Sequence, residues 1–261
     1  MTTSKIVISA IAVSWLISHT VASAALSVYQ GNGQSDRGGI IGQGSLALED
    51  KGSWVSGTIN KGSPGGTFSG ILVLYVDVEP GGFADTTSFT ANGNGLQTAI
   101  SGNSSWGSRS DAMFTPGFLA DYAIALGPDY GGALYHFAGD GSFDSYTPIT
   151  LSPLNDQLSS QYKFSFSWSD LGLADSPHGL KFQSSYAINT GIHSLESYES
   201  IIGPAGFGQT LRFENYNTFG VVATPVPEMT NAGLAVFGAL LAGSELVSRT
   251  RRWVRGRTAR N

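Results

Sequence analysis

The sequence predicts an all-β protein: a β-sandwich or jelly-roll-like domain with a cleaved N-terminal signal peptide and a single C-terminal transmembrane helix. Three observations predict this class. Glycine and aromatic residues are abundant while charges are scarce, apolar runs of strand length alternate with turn residues, and each end carries an apolar segment near basic residues. The predicted domains are a signal peptide at 1–24, a β-sandwich at 25–223 and a sorting signal at 224–261.

Composition bounds the class of protein. Hydrophobic residues make up 41% of the 261-residue chain and charged residues 13%, which is too apolar for a disordered protein. The chain has no cysteine, so disulfides, thiolate metal sites and cysteine nucleophiles are excluded. Residues 25–226 carry seven basic and seventeen acidic side chains, a net charge of −10. Such an acidic domain repels nucleic acid, so we expect no nucleic-acid partner.

The N-terminus has the three parts of a secretory signal. Lys5 precedes an apolar run of twelve residues at 6–17, and Ala22-Ser23-Ala24 follows it. The small side chains of Ala22 and Ala24 fit the pockets of signal peptidase, which predicts cleavage after residue 24 or 25. The alternative is a permanent N-terminal anchor, but twelve residues fall short of the ~20 that a membrane span requires.

The middle of the chain contains strands separated by turns. Residues 161–168 alternate strictly, so that Tyr162, Phe164, Phe166 and Trp168 share one face of a strand and polar residues the other. Residues rich in Gly, Asn, Ser and Thr predict a long surface loop or excursion at 83–110, and no helix of core length is predicted before residue 230. The other predicted strands lie at 69–78, 121–126, 133–137, 181–188, 209–213 and 218–222, with a hairpin turn at 127–132.

The C-terminus combines a stiff proline segment, an apolar helix and a basic tail. Residues 232–247 are apolar apart from Ser244 and Glu245. Sixteen helical residues span about 24 Å, close to the ~30 Å hydrocarbon core of a bilayer, and arginines after a span stay on the cytoplasmic side. The alternative is a buried amphipathic helix with a solvated basic end. The arginine-rich tail at 249–261 holds Arg249, Arg251, Arg252, Arg255, Arg257 and Arg260.

This C-terminal order resembles the PEP-CTERM sorting signal of Gram-negative bacteria. The motif is Val226-Pro227-Glu228, followed by a glycine-containing helix at 231–248 and the arginine cluster. Met229 stands where the family has a second proline, and Glu245 interrupts the helix. The resemblance implies processing by exosortase, an integral membrane peptidase, near the Pro-Glu motif. It also implies export through signal peptidase, at least transient anchoring in the inner membrane, and a final place at the cell surface or in an extracellular, exopolysaccharide-containing matrix.

Part of the middle resembles the β-sandwiches of family 9 carbohydrate-binding modules and DOMON domains. The matching pieces are residues 117–124, the strand that ends at Trp168, and Ser169-Asp170-Leu171-Gly172-Leu173. The resemblance implies a sandwich fold and, in some members of that group, binding of glycans.

No catalytic residue is predicted. The histidines His136, His178 and His193 lack metal-ligand spacing, and neither a Gly-x-Ser-x-Gly motif nor a phosphate-binding glycine loop is present. Ca²⁺ is the one cofactor left open: Asp140 and Asp144, with Asp129, offer carboxylate oxygens. The alternative reading of Asp140 is an ordinary Asp-Gly turn between strands.

Aromatic residues give the remaining candidates. Trp54, Trp106, Tyr130 and Tyr146 are each able to stack on a sugar ring if exposed, or to fill the core if buried. The sequence therefore favours an exported, non-enzymatic surface or matrix protein. Two alternatives remain: a carbohydrate-binding module of the exopolysaccharide matrix, and a secreted polymer hydrolase.

Overall fold

The computed structural model describes residues 26–90, 93–104, 108–173 and 179–220. These residues are mostly β structure, with two antiparallel sheets in a sandwich-like arrangement, which confirms the predicted all-β class. The predicted signal peptide at 1–24 and the predicted helix at 231–248 lie outside them. Within the described part of the chain, no helix has the length and apolar character needed to cross a membrane.

The described residues form fourteen strands and one short α-helix. A 3₁₀ turn at Trp168–Leu171 follows the tenth strand. In chain order the elements are β1 (Leu26–Gln30), β2 (Ser45–Asp50), β3 (Trp54–Asn60), β4 (Ile71–Asp77), α1 (Gly95–Ser101), β5 (Ser110–Met113), β6 (Tyr122–Gly127), β7 (Gly131–Phe137), β8 (Phe143–Pro148), β9 (Thr150–Leu151), β10 (Gln161–Ser167), β11 (Gly179–Ala187), β12 (Ile201–Ile202), β13 (Gln209–Phe213) and β14 (Asn217–Gly220).

Sheet A has the strand order β1-β2-β3-β10-β9. Its inner face follows the predicted alternation, because Tyr162, Phe164 and Phe166 of β10 are buried while the polar residues between them face outward. Gly57 of β3 lies beneath the Phe164 ring, where an added Cβ would come within 2.1 Å of a ring carbon. The size of Phe164 thus requires a glycine on the neighbouring strand.

Sheet B has the order β14-β11-β4-β6-β7-β8 and is covered on both faces. Residues 71–76 of β4 are all buried. Leu72, Leu74 and Val76 pack against sheet A, whereas Ile71, Val73 and Tyr75 belong to a second apolar cluster on the opposite face. A strand buried on both faces needs apolar residues at every position, which explains the continuous run in the sequence. We call these the sandwich face and the covered face of sheet B.

Residues of the segment 83–118 cover that second face, so the prediction of a surface loop at 83–110 is wrong. Phe89 is fully buried, and α1 buries Leu96 and Ile100. The helix begins where the Asn94 side chain accepts a hydrogen bond from Gln97 N at 2.9 Å, an ordinary N-cap. Burial of a few apolar side chains is enough to hold an otherwise polar segment against the sheet.

The small third sheet has the order β12-β13-β5. The prediction that residues 209–213 form a strand is confirmed, but this strand pairs in parallel with Ser110–Met113 and does not close the main sheet. Strand β14 does lie at the edge of sheet B, where it pairs with β11.

The first described strand begins, and the last described strand ends, at the same end of the sandwich. Leu26 pairs with Glu49 at the end where β10 enters the 3₁₀ turn, and Phe219 near the end of β14 stacks on Trp168 with ring centroids 5.9 Å apart. The Tyr29 hydroxyl also donates a 2.7 Å hydrogen bond to the Thr218 carbonyl, which ties β1 to β14. The start of β1 and the end of β14 therefore lie at one end of the domain.

Candidate functional site

An open groove runs along the outer face of sheet A. Trp54 is 42% exposed at one end, and Lys163 and Ser165 of β10 stand across from Thr58 and Ser56 of β3. From the Trp54–Ser167 pair to the Asn60–Gln161 pair the face extends for roughly 20 Å at the usual rise per strand residue. The outward positions of β3 and β10 are mostly polar because the inner positions of the same strands hold the apolar residues, and Trp54 and Leu151 add apolar surface to this face.

The groove consists of two adjoining depressions of about 300 and 290 Å³ that share Ser152 and Lys163. A flat indole with hydroxyl, amide and ammonium groups beside it can stack on the apolar face of a sugar ring and hydrogen-bond its hydroxyls. We call this feature the tryptophan groove; it is lined by Trp54, Ser56, Thr150, Leu151, Ser152, Pro153, Leu154, Asn155, Ser159, Ser160, Gln161, Lys163, Phe164 and Ser165.

A second, smaller depression lies at the edge of the covered face. Its volume is about 160 Å³, and it is lined by Asn94, Gly95, Leu96, Tyr130, Tyr135 and Tyr146. We call it the tyrosine cleft. Tyr146 is 57% exposed, Tyr130 is half-buried, and Tyr135 is completely buried. Burial raises the pKa of Tyr135, and the nearby Asn94 side chain lowers it in part.

The predicted Ca²⁺ candidates do not come together. Asp140 accepts hydrogen bonds from Ser142 N at 2.9 Å and Ser142 Oγ at 2.6 Å, which lower its pKa. Asp144 instead pairs with His136 Nδ1 at 2.6 Å, and Asp129 accepts from the Gln157 side-chain amide at 2.5 Å. No group of three or more acidic or histidine side chains able to hold a metal occurs among the described residues.

The other histidines have different settings. His193 is fully buried, and its Nδ1 lies 3.0 Å from Ser185 Oγ. Burial lowers the pKa of His193 to about 4, with Arg109 adding to the effect. This Ser–His pair has no solvent access, so it cannot reach a substrate. His178 lies outside the described residues.

Two buried glutamates are the polar residues that sequence reasoning missed. Glu196 accepts hydrogen bonds from the backbone N–H groups of residues 37, 39, 41 and 42 at 2.8–3.3 Å, which fixes that loop. Glu199 accepts from Ser184 N at 2.7 Å, from the hydroxyls of Ser184 and Ser197 at 2.6 Å each, and from Asn217 Nδ2 at 2.8 Å. Burial raises the pKa of Glu199 to about 7, and these bonds lower it in part.

The residues predicted for export and sorting lie outside the described residues. These are Ala22 and Ala24, the motif Val226-Pro227-Glu228 and the arginine cluster from Arg249 to Arg257. The aromatic candidate Trp106 also lies outside the described residues. Their roles stay predictions.

Comparison with known proteins gives no relative: no family model, no curated protein and no solved structure matches the chain.

Proposed function

We propose that this protein is an exported, non-enzymatic component of the cell surface or extracellular matrix. In this proposal signal peptidase removes the N-terminal segment after residue 24 or 25, and exosortase processes the chain near Val226-Pro227-Glu228. The helix at 231–248 holds the chain in the inner membrane at least until that step. The observation that carries the proposal is the pair of terminal signals around an acidic β-sandwich.

The position of the strand ends supports this arrangement. Strand β1 begins at Leu26, immediately after the predicted cleavage site, so cleavage leaves every described strand intact. Strand β14 ends at Gly220, six residues before Val226, at the same end of the sandwich at which β1 begins. A domain whose two chain ends leave from one side can stay folded while both terminal segments are in the same membrane.

Fractionation of cells that express the native gene tests this proposal. We expect a pool of the protein in the inner-membrane fraction and a shorter mature form at the surface or in the medium. Replacing Pro227 and Glu228 by alanine should trap the chain in the membrane fraction. Full-length protein soluble in the cytoplasm would contradict the proposal.

The tryptophan groove favours a second candidate function, recognition of an extracellular glycan. Trp54 offers an exposed indole face, and the neighbouring β3 and β10 residues Ser56, Ser165 and Lys163 offer hydrogen-bonding groups on a rigid sheet. Placement on strands, and not on a loop, holds these groups in a fixed geometry. Charge is compatible with a neutral glycan, because Lys163 is the one cation among the lining residues described.

A glycan array probed with the full chain in a polyoxyethylene detergent tests this second function. We expect Trp54→Ala to weaken binding about tenfold, since a stacked ring contributes about 1–1.5 kcal/mol. Trp54→Phe, which keeps a smaller ring, should retain part of the affinity. Tyr146→Ala, in the tyrosine cleft, is the matched control and should change nothing. Binding that survives Trp54→Ala unchanged would place the glycan elsewhere.

A further inference from the structure

Strand β1 forms one edge of sheet A and has an open hydrogen-bonding side. Gly31 N donates to Gly44 O at 2.8 Å in the register of the β1–β2 pair. Backbone groups alternate in direction along a strand, so the odd-numbered residues of β1 bond to β2. The N–H and C=O groups of Leu26, Val28 and Gln30 therefore point away from β2, and no described strand pairs with them.

This edge lacks the features that protect the edges of sheets from pairing with other strands. Protected edges carry charges, prolines or bulges, or are very short. At the other edges of the two main sheets, β9 has two residues, β14 has four, and β8 carries Asp144 and ends at Pro148. Strand β1 has five residues, Leu-Ser-Val-Tyr-Gln, with neither a charge nor a proline. Among these edges, β1 is thus the one most open to the addition of a strand.

The lack of charge in β1 matters because the domain is acidic. The described residues carry seven basic and sixteen acidic side chains, a net charge of −9, so two copies repel each other through most of their surfaces. On the outer side of β1, Leu26 and Val28 are 62% and 51% exposed. Glu49, opposite Leu26 on β2, is paired with Lys51 at 2.5 Å. Two copies can therefore approach through β1 with little electrostatic repulsion.

We propose that two copies of this chain pair through β1, in antiparallel orientation about Val28, and so join their A sheets. A twofold axis makes identical residues of the two edges face each other, and only antiparallel strands bond residues that face each other directly. Val28 then lies opposite Val28 of the second copy, and Leu26 lies opposite Gln30. Each pair exchanges two hydrogen bonds between backbone groups that have no partner among the described residues.

Antiparallel pairing places the chain ends of the two copies at opposite ends of the dimer, because β1 begins at the end where β14 finishes. Two copies held in one membrane would have to turn relative to each other before they could pair in this way. The dimer therefore suits the released form of the proposed function. Pairing itself depends on neither export nor processing, and chain length and dimer formation are read separately in the tests.

Single cysteines test the pairing, because the chain has none of its own. In an antiparallel pair with backbone hydrogen bonds the opposed Cα atoms are about 5.5 Å apart, which is within the range of a disulfide. Val28→Cys, purified in a polyoxyethylene detergent from cells that express the native gene, should form a covalent dimer on mild oxidation. Ser145→Cys, an exposed position on the edge strand β8, is the matched control and should stay monomeric. No dimer from Val28→Cys, or equal cross-linking of both variants, would overturn the proposal.

Two further cysteines test the register. Leu26→Cys mixed with Gln30→Cys should give a disulfide between the two variants. Each variant alone should give little, since its two cysteines lie about 13 Å apart along the strands. Cross-linking of each variant to itself in preference to the mixture would contradict the antiparallel register. In the double variant Val28→Cys/Val222→Cys, a disulfide within one chain in place of the dimer would assign the edge to the chain's own C-terminal segment and overturn the proposal.

Noncovalent association is measured by light scattering in the same detergent. The wild type should form a dimer that dissociates on dilution. Val28→Lys should weaken this dimer about tenfold, because two like charges are then directly opposed and the contact between the valines is lost. Val28→Thr, which keeps a β-branched side chain, should retain the dimer, and both variants should keep the wild-type midpoint in urea because the position is half-exposed. A wild type that is monomeric at every concentration, or a dimer that Val28→Lys leaves unchanged, would overturn the proposal.

Discussion

The two faces of sheet B are covered in different ways. The sandwich face carries large side chains such as Leu74, Ile124 and Leu126 against sheet A, whereas the covered face carries Ala123 and Ala125 on the same strand β6. Small residues let α1 and its flanking segment approach the strand backbone closely. Sheet B thus packs large side chains against sheet A on one face and small side chains against a short helix on the other.

Each side of sheet B also has a buried titratable group whose pKa is shifted, Glu199 on one side and His193 on the other. Glu199 contacts Ser184, which shares the side of β11 with Phe182 and Tyr186 of the sandwich cluster. His193 contacts Ser185, which points to the opposite side, and its ring lies 6.4 Å from that of Tyr75. Burial favours the neutral form of both groups, so their effects on stability have opposite dependence on pH.

The largest expected effect is the loss of packing on the sandwich face. Leu74→Ala removes a side chain that is 2% exposed in the main cluster and should lower the free energy of unfolding by about 3 kcal/mol. Urea denaturation should show a lower midpoint with an unchanged slope. Lys163→Ala, on the outside of sheet A, is the control and should change stability by less than about 0.5 kcal/mol. A loss below about 1 kcal/mol for Leu74→Ala would mean that this face is loosely packed.

The second prediction concerns Glu199, whose pKa is raised from 4.5 to about 7. The contribution of the protonated carboxyl is complete below pH ~4.5 and is lost as the pH rises through ~7. The Glu199 contribution to stability should fall by about 2–3 kcal/mol between pH 5 and 8. Glu199→Gln should flatten this decline in pH-dependent unfolding measurements. Asp121, whose pKa is raised to about 6, gives a smaller decline that the variant keeps. An unaltered pH profile in Glu199→Gln would contradict the prediction.

The third prediction is the opposite slope from His193, whose pKa is lowered from 6.5 to about 4. Its stabilising effect is present above pH ~6.5 and is lost as the pH falls through ~4. The His193 contribution should fall by about 2 kcal/mol between pH 6.5 and 4, over nearly the same range in which the Glu199 contribution rises. The two therefore offset each other in the wild-type profile and are read as differences between wild type and variant. His193→Asn, which retains a polar group near Ser185 Oγ, should gain stability relative to wild type as the pH falls from 6.5 to 4, whereas Glu199→Gln should lose it over that range. If both variants changed the profile in the same direction, the opposite signs assigned to the two groups would be wrong.

The smallest effect is expected from overpacking the covered face. Ala125→Leu adds three carbons beneath a helix of only seven residues and should cost about 1–2 kcal/mol. The strain should loosen α1 before it affects the sandwich, so amide hydrogen exchange should accelerate at residues 96–101 first. Ala47→Leu, on the half-exposed outer side of β2, is the matched control and should be nearly neutral. Amide hydrogen exchange that accelerates equally in sheet A, sheet B and α1 would show that α1 is not a separate layer.

The sequence predicted the sandwich face far better than its opposite. The alternation of Tyr162, Phe164 and Phe166 is a strong signal, because a strand buried on one face imposes a period of two. The continuous apolar run at 71–76 is equally clear, because it indicates a strand buried on both faces. The cover at 83–118 gave no comparable signal: its buried residues Phe89 and Leu96 are irregularly spaced among glycines and hydroxyl residues. Its apolar side chains contact residues that are distant in the sequence, so they leave no periodic pattern in the local sequence.

The candidate sites were predictable only in part. The sequence predicted Trp54 and Tyr146 as candidate stacking residues, but whether their side chains are exposed could be predicted only with knowledge of the strand register. Tyr135 lies in an apolar run that indicates a core residue, and the structure buries it completely. Asp140 and Asp144 were named together because they are close in sequence, yet their carboxylates bond to different partners.

Mass spectrometry of the mature protein from its native cells tests the central claim most directly. Export and sorting predict an N-terminus at residue 25 or 26 and a C-terminus close to Glu228, with every strand from β1 to β14 retained. The two ends are read in one intact-mass measurement and assigned by fragmentation. A mature chain that still begins at Met1 and ends at Asn261 would contradict processing at both ends.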